Sequence, residues 1–253
     1  MGLVSACITH NGENMKLSRR TFITSAALAP VACGVPLSYE HGTPIAQPNP
    51  LPTVRPPQVG QSWTYIKRNA FNGKNLGLVT ERVASTGATI VIERGDENGR
   101  QLASEVQGRW GMAITDPNWS RTLNFNPAIP LWPQELSVKW SKQVNVQYSI
   151  SGYPDSKLGW QEYMSVQGWE KITVPAGTFN ALRFQSLINY ENEDPNKVDS
   201  IRNETIWFAP EIGRWVAREI SGSYRIQGQV AVPILEDSLQ FQLTAYQGSV
   251  GVF

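Results

Sequence analysis

The sequence is short of the side chains that most enzymes use. Its 253 residues include two cysteines, Cys7 and Cys33, and two histidines, His10 and His41. All four precede the region that could fold, so a folded domain downstream has neither imidazole nor thiol. That excludes a Ser-His-Asp triad, a Cys-His nucleophile, and zinc or copper sites built from imidazole and thiolate. A glycine-rich phosphate cradle after a strand is missing, as is a GxSxG elbow, and no cofactor is expected. Charge of one sign is missing too. The formal net charge is +1, and it falls to near −1 once residues 1–32, with Lys16, Arg19, Arg20 and Glu13, are removed. With no basic stripe either, a nucleic-acid partner is not expected. No apolar run reaches the ~20 residues of a membrane-spanning helix.

What is present begins with an address. Met15 opens a basic head, followed by twelve mostly apolar residues, 21–32, and then Cys33. This reads as a signal peptide over 15–32, with 1–14 a start-site artefact. Arg19, Arg20 and Phe22 match a twin-arginine export signal, against the alternative of a general secretory head that happens to hold two arginines. "PVACG" ending on Cys33 matches a lipobox except at Pro30, where an aliphatic residue belongs. The competing cut after Ala27-Leu28-Ala29 would leave Pro30 at the new N-terminus. Lipidation at Cys33 is the expectation, and Gly34 after it favours the outer membrane. Residues 33–60 then hold seven prolines and little apolar content, which suits an extended tether.

From Ser62 onward a period of two replaces the helical period of 3.6. "LQFQLTAY" sets Leu239, Phe241, Leu243 and Ala245 on one face, and "SWTYIKR" groups Trp63, Tyr65 and Lys67. "ATIVIER", "KWSKQVNVQYSI" and "ETIWFAPEIGRWVAREI" are further β-branched and aromatic runs. The expectation is an all-β domain over 61–250. It would be an antiparallel sheet of about ten or eleven strands, as a half-open barrel or a sandwich built from two similar halves. The two-halves idea rests on Trp63 and Trp140, each after a proline-rich lead-in, with Gly87 and Gly168 following. Pro175, Ala176 and Gly177 read as a three-residue hairpin loop, a structural corner closed by a glycine bulge.

That corner carries a resemblance. "GWEKITVPAGTFNALRF" followed by "ETIWFAPEIGRWVAREI" resembles a group of uncharacterised exported proteins and lipoproteins of Gram-negative bacteria. These share a W-E-x-[IV]-x-V-P-A-G-T-F β-hairpin ahead of an aromatic–Ala-Pro-x-[IV]-G-R strand pair. The matching residues here are Trp169, Glu170, Val174 to Phe179, Trp207 to Pro210 and Gly213 to Val216. The resemblance implies an exported all-β domain of unknown function and brings no catalytic residues with it.

Carboxylates are the remaining route to catalysis, since glycoside cleavage needs only two. Glu162 with Glu170, and Glu204 with Glu219, are the pairs that local sequence offers. The acidic stretch 189–200, with Glu191, Glu193, Asp194 and Asp199, lacks EF-hand spacing and reads as a solvated loop, with no metal site expected. Nine tryptophans are the anomaly. Trp110, Trp119, Phe125 and Trp132 fall in a turn-rich segment. They form either an aromatic binding rim for a glycan, lipid or partner, or a loop folded over the core as its plug. The resulting expectation is a non-enzymatic cell-envelope lipoprotein on the periplasmic side of the outer membrane. It would be a protein-interaction or scaffold domain. The alternatives are a β-groove for an apolar ligand such as a lipid, and a carbohydrate-binding or carboxylate-based glycan-cleaving module. The terminal Phe253 also invites an outer-membrane barrel, but Ser249 and Gly251 break the alternation that such a signal needs.

Overall fold

The computed structural model describes residues 42–229 and 232–248. The signal residues Arg19, Arg20 and Phe22, and the lipidation site Cys33, lie outside the described residues. Within them there are thirteen strands and no helix. These are β1 (Thr43–Ile45), β2 (Ser62–Asn69), β3 (Asn75–Thr86), β4 (Ile90–Asp96), β5 (Gln101–Arg109), β6 (Met112–Asp116) and β7 (Leu123–Pro130). They continue as β8 (Ser141–Ile150), β9 (Tyr153–Val174), β10 (Gly177–Tyr190), β11 (Lys197–Ala209), β12 (Arg214–Ile226) and β13 (Ile234–Gln247).

From β2 to β13 every strand pairs antiparallel with the next, and β13 pairs back onto β2, from Leu239 opposite Asn69 to Gln247 opposite Ser62. Twelve strands therefore close into an up-and-down barrel, and β1 adds to β9 beyond the stretch held by β8. This corrects the expected half-open sheet of ten or eleven strands. β1 has three residues, and the inward positions of β5 are Glu105 and Gln107, so neither shows an apolar alternation to be counted. The two six-strand halves, β2–β7 and β8–β13, do begin near Trp63 and Trp140. Their glycines do not correspond, since Gly87 lies between β3 and β4 while Gly168 lies inside β9.

Alternation fixes which side chains point inward. Trp63 and Tyr65 of β2, Met164 of β9, Phe184 of β10 and Phe208 of β11 are all buried. Each buried ring removes roughly 150–250 Å² from water, a gross gain of about 4–6 kcal/mol before the entropy of ordering. One aromatic chain runs from Trp63 to Trp110 (6.3 Å between centroids), Trp132 (5.1 Å) and Phe208 (4.9 Å). A second cluster gathers Phe125, Tyr148, Trp160 and Ile188. The outward positions Gln143, Asn145, Gln147, Gln161, Gln185 and Asn189 are polar and exposed. Tyr163 and Leu187 are exposed between them, so this wall carries no continuous apolar band of the kind a lipid-spanning barrel needs.

The two ends of the barrel differ. At the proximal end, the strap of residues 42–60 crosses the connections. Arg55 N–H donates to the Pro210 carbonyl at 2.8 Å, and Trp110 Nε1 donates to the Arg55 carbonyl at 3.0 Å. Gly213 (φ 66°) makes this approach feasible, because a Cβ there would lie 2.5 Å from the Arg55 carbonyl oxygen. At the distal end the β6–β7 connection, residues 117–122, folds into the mouth.

The Pro175–Ala176 corner also has a packing role. These two residues form a two-residue connection, with Gly177 already paired to Val174, in place of the expected three-residue loop. The hairpin kinks where the register shifts between Arg183 and Phe184, opposite Gly168 (φ 154°), a backbone setting that favours glycine. Beyond the kink the buried residues become Glu170, Ile172 and Val174, and the tip lies against β11 to β13. Ala176 N–H donates to the Leu243 carbonyl at 3.1 Å, Trp207 Nε1 donates to Glu170 at 2.7 Å, and Phe179 meets Tyr246 edge-on.

Candidate functional site

The barrel interior holds ionised groups where a small barrel would ordinarily hold apolar ones. Near the proximal end Arg214 Nε donates to Glu81 at 3.0 Å, while its terminal nitrogens grip both oxygens of Glu105 at 3.0 and 2.8 Å. Gln107 donates to Glu105 at 2.6 Å and accepts the Gly111 N–H at 2.6 Å. Burial opposes the charge of Arg214, yet Glu105 and Glu81 together hold its guanidinium well above the ordinary arginine value. Burial likewise raises Tyr65, which stacks on Trp215 and donates to its carbonyl.

A second network lies deeper along β11 and β12. Arg218 donates twice to one oxygen of Glu204, at 2.9 and 2.6 Å, and Arg202 Nε donates to the other at 2.6 Å. Glu162 of β9 faces it, accepting from Ser186 Oγ and, at 3.4 Å, from Trp160 Nε1. Burial lifts Glu162 from the usual carboxylate range to about 7, with Glu204 and Asp116 adding to the rise and the Ser186 hydrogen bond opposing it. Local sequence offered Glu162 with Glu170 and Glu204 with Glu219. The fold instead brings Glu162 to Glu204, and it commits Glu170 to Arg183 (2.8 Å) and Trp207. The cavity between these groups is about 40 Å³, room for water but not for a sugar ring.

The distal mouth opens more widely. A cavity of about 360 Å³ lies between Lys67, Arg94, Leu102, Arg202, Phe241 and the 117–122 loop. Asp116 builds that loop by accepting from Asn118 N–H (2.9 Å), Asn118 Nδ2 (2.8 Å) and Trp119 Nε1 (3.1 Å). The loop in turn pins two arginines from opposite walls. Arg94 donates to the Pro117 carbonyl at 3.3 Å and to Asn118 Oδ1 at 2.9 Å. Arg202 donates to the Asn118 carbonyl at 3.1 Å and lies 3.9 Å over the Trp119 ring, a cation–π contact. Lys67 projects into the same space, 5.7 Å from the Phe241 centroid. Burial and then Arg94 and Arg202 lower its pKa, against Asp237.

The four aromatics of the turn-rich segment do not share one surface. Trp132 is buried and Trp110 half-buried in the proximal core, while Phe125 is buried and Trp119 half-buried in the second cluster. Trp119 alone of the four borders the distal cavity. In the acidic stretch, Glu193 pairs with Arg121 at 3.0 Å, Asp199 pairs with Arg225, and Glu191 accepts the Gly159 N–H at 2.6 Å.

Sequence reading missed the arginines and Lys67 as a group. The available signal was parity, because Arg202 and Glu204 share their face with Ile206 and Phe208 along one strand. A charge on the apolar parity of a strand marks an inward ion that needs a partner.

No protein-family model matches the chain, and no curated protein matches it. Solved structures with a related arrangement include a presumed lipoprotein of Parabacteroides distasonis (TM-score 0.48, 12% identity, covering 78% of this chain and 99% of that one). A presumed exported protein with a YmcC-like fold from Bacteroides fragilis gives 0.45 and 15%, covering 78% and 100%. The hypothetical lipoprotein YmcC of Escherichia coli gives 0.42 and 9%, covering 73% and 83%.

Proposed function

We propose that the protein is a non-enzymatic cell-envelope lipoprotein whose barrel serves as an interaction or scaffold domain, held by Cys33 and the proline-rich tether on the periplasmic side of the outer membrane. The observation that carries this reading is the asymmetry of exposed apolar surface. Of eleven large apolar side chains exposed among the described residues, six sit at the distal end: Phe71, Leu76, Tyr153, Val232, Ile234 and Leu235. That end lies opposite the strap, so a barrel tethered through residues 42–60 presents it outward. Exposed apolar groups concentrated on one face are the usual mark of a contact surface.

The alternatives are less well supported. A carrier needs an empty apolar lumen for a full acyl chain, and this lumen is filled by aromatic rings and ion pairs except for about 360 Å³ at the distal mouth. A glycan-cleaving site needs carboxylates reachable by a sugar, and Glu162 and Glu204 face a water-sized space. In-cell photo-crosslinking tests the proposal. A crosslinking residue at Phe71, Tyr153 or Leu235 is expected to capture one common envelope protein, and one at Gln161 or Lys171 is not. Equal yields from the two sets would overturn it.

A further inference from the structure

Among the described residues, the distal mouth holds one cation with no ion pair, Lys67, and one, Arg94, that shares its carboxylate with another arginine. Arg94 approaches Glu81 at 3.6 Å, but Glu81 is already bound by Arg214 at 2.9–3.0 Å. Arg94 is left with a carbonyl and an amide oxygen, both neutral, and its Nε, buried, has no hydrogen-bond partner. Lys67 makes no hydrogen bond and no ion pair within 4 Å among the described residues. Arg202 adds a third positive group, its charge shared with Glu204. Asp237 is the carboxylate on the cavity wall. Cations this poorly compensated beside a half-enclosed space cost stability unless an anion enters.

The rest of the wall is mixed, with Asn118, Ser120 and Thr122 on the loop side and an apolar side opposite. Val79, Leu102, Leu239 and Phe241 line the cavity beside the cations, and Trp119 closes one side. The volume of about 360 Å³ falls at the small end of ligand sites, enough for a headgroup and a few methylenes but not a full acyl chain.

We propose that this mouth is a binding site for a small anionic amphiphile, with a phosphate or carboxylate held by Lys67 and Arg94 and a short apolar portion against Leu102, Leu239 and Phe241. The site is independent of the interaction reading above, which concerns the outer surface of the same end.

The test is calorimetric titration of the full chain with hexyl phosphate, set beside inorganic phosphate and the uncharged hexyl glucoside. Hexyl phosphate is expected to bind at one site, at least tenfold tighter than either control. Lys67→Gln is expected to weaken it tenfold or more while the melting temperature holds. Ala103→Phe, which fills the cavity without touching an ion pair, is expected to abolish it. Equal binding of inorganic and hexyl phosphate would overturn the apolar half of the proposal, and equal binding of hexyl glucoside the anionic half. No binding by a folded wild-type chain, or binding indifferent to both substitutions, would overturn the site altogether.

Discussion

The two ends of this barrel solve the same packing problem with different chemistry. At the proximal end Trp63, Trp110, Trp132 and Phe208 fill the lumen, and the Arg214 guanidinium is matched by two carboxylates. At the distal end the filler is the 117–122 loop. Two arginines bind its neutral oxygens, and Lys67 has no ion-pair partner among the described residues. A closed polar network tolerates no loss of a member, whereas an incompletely compensated one leaves room for something to enter. The comparison therefore separates a structural end from an end able to bind.

Breaking the matched end should produce the largest effect. Arg214→Ala leaves buried Glu105 with only the neutral Gln107 and Glu81 with only Arg94 at 3.6 Å, and is expected to cost about 3–5 kcal/mol in urea unfolding. Converting Arg214, Glu81 and Glu105 together to apolar residues of similar volume should recover most of that loss. If the single change costs under about 1 kcal/mol, the proximal network does not hold that end together.

Stability is expected to depend on pH through the middle of the lumen. Glu162 has a folded pKa near 7, above its unfolded value near 4.5, so the native state binds more protons between the two. Its contribution is fully present below pH ~4.5 and is lost as pH rises through ~7, a difference on the order of 3 kcal/mol. Glu162→Gln should flatten that part of the stability–pH curve and raise stability at pH 8 relative to the parent.

Gly213→Val tests the strap. A side chain there meets the Arg55 carbonyl and must also adopt φ 66°, so a loss of about 1–3 kcal/mol is expected, together with faster proteolysis within residues 42–60. The smallest effect belongs to the distal end. Lys67→Met removes a charge that has no ion-pair partner among the described residues, and stability should change by less than about 1 kcal/mol, with any change in the direction of a gain. A loss as large as that of Arg214→Ala would erase the distinction between the ends.

How far the sequence carried can be judged strand by strand. β2, β10 and β13 were legible because Trp63 and Tyr65, Leu182 to Ile188, and Leu239 to Leu243 alternate as a half-buried strand must. β5 was not, because its inward residues are Glu105 and Gln107, and polar groups on both faces hide the period. The carboxylate pairing was misread for a related reason. Glu162 and Glu204 are 42 positions apart and meet only through the β9–β10 and β10–β11 registers.

By itself, then, the sequence determined the all-β class, the proline-rich approach to the domain and the lack of imidazole and thiol chemistry within it. These follow from composition and from a period of two, both local properties. Tertiary structure decided closure, because the pairing of β2 with β13 joins the first and last barrel strands and leaves no signature in either. It also decided which charges are matched. A buried ion's energy depends on what stands across the lumen, and that is fixed by the register of every strand between.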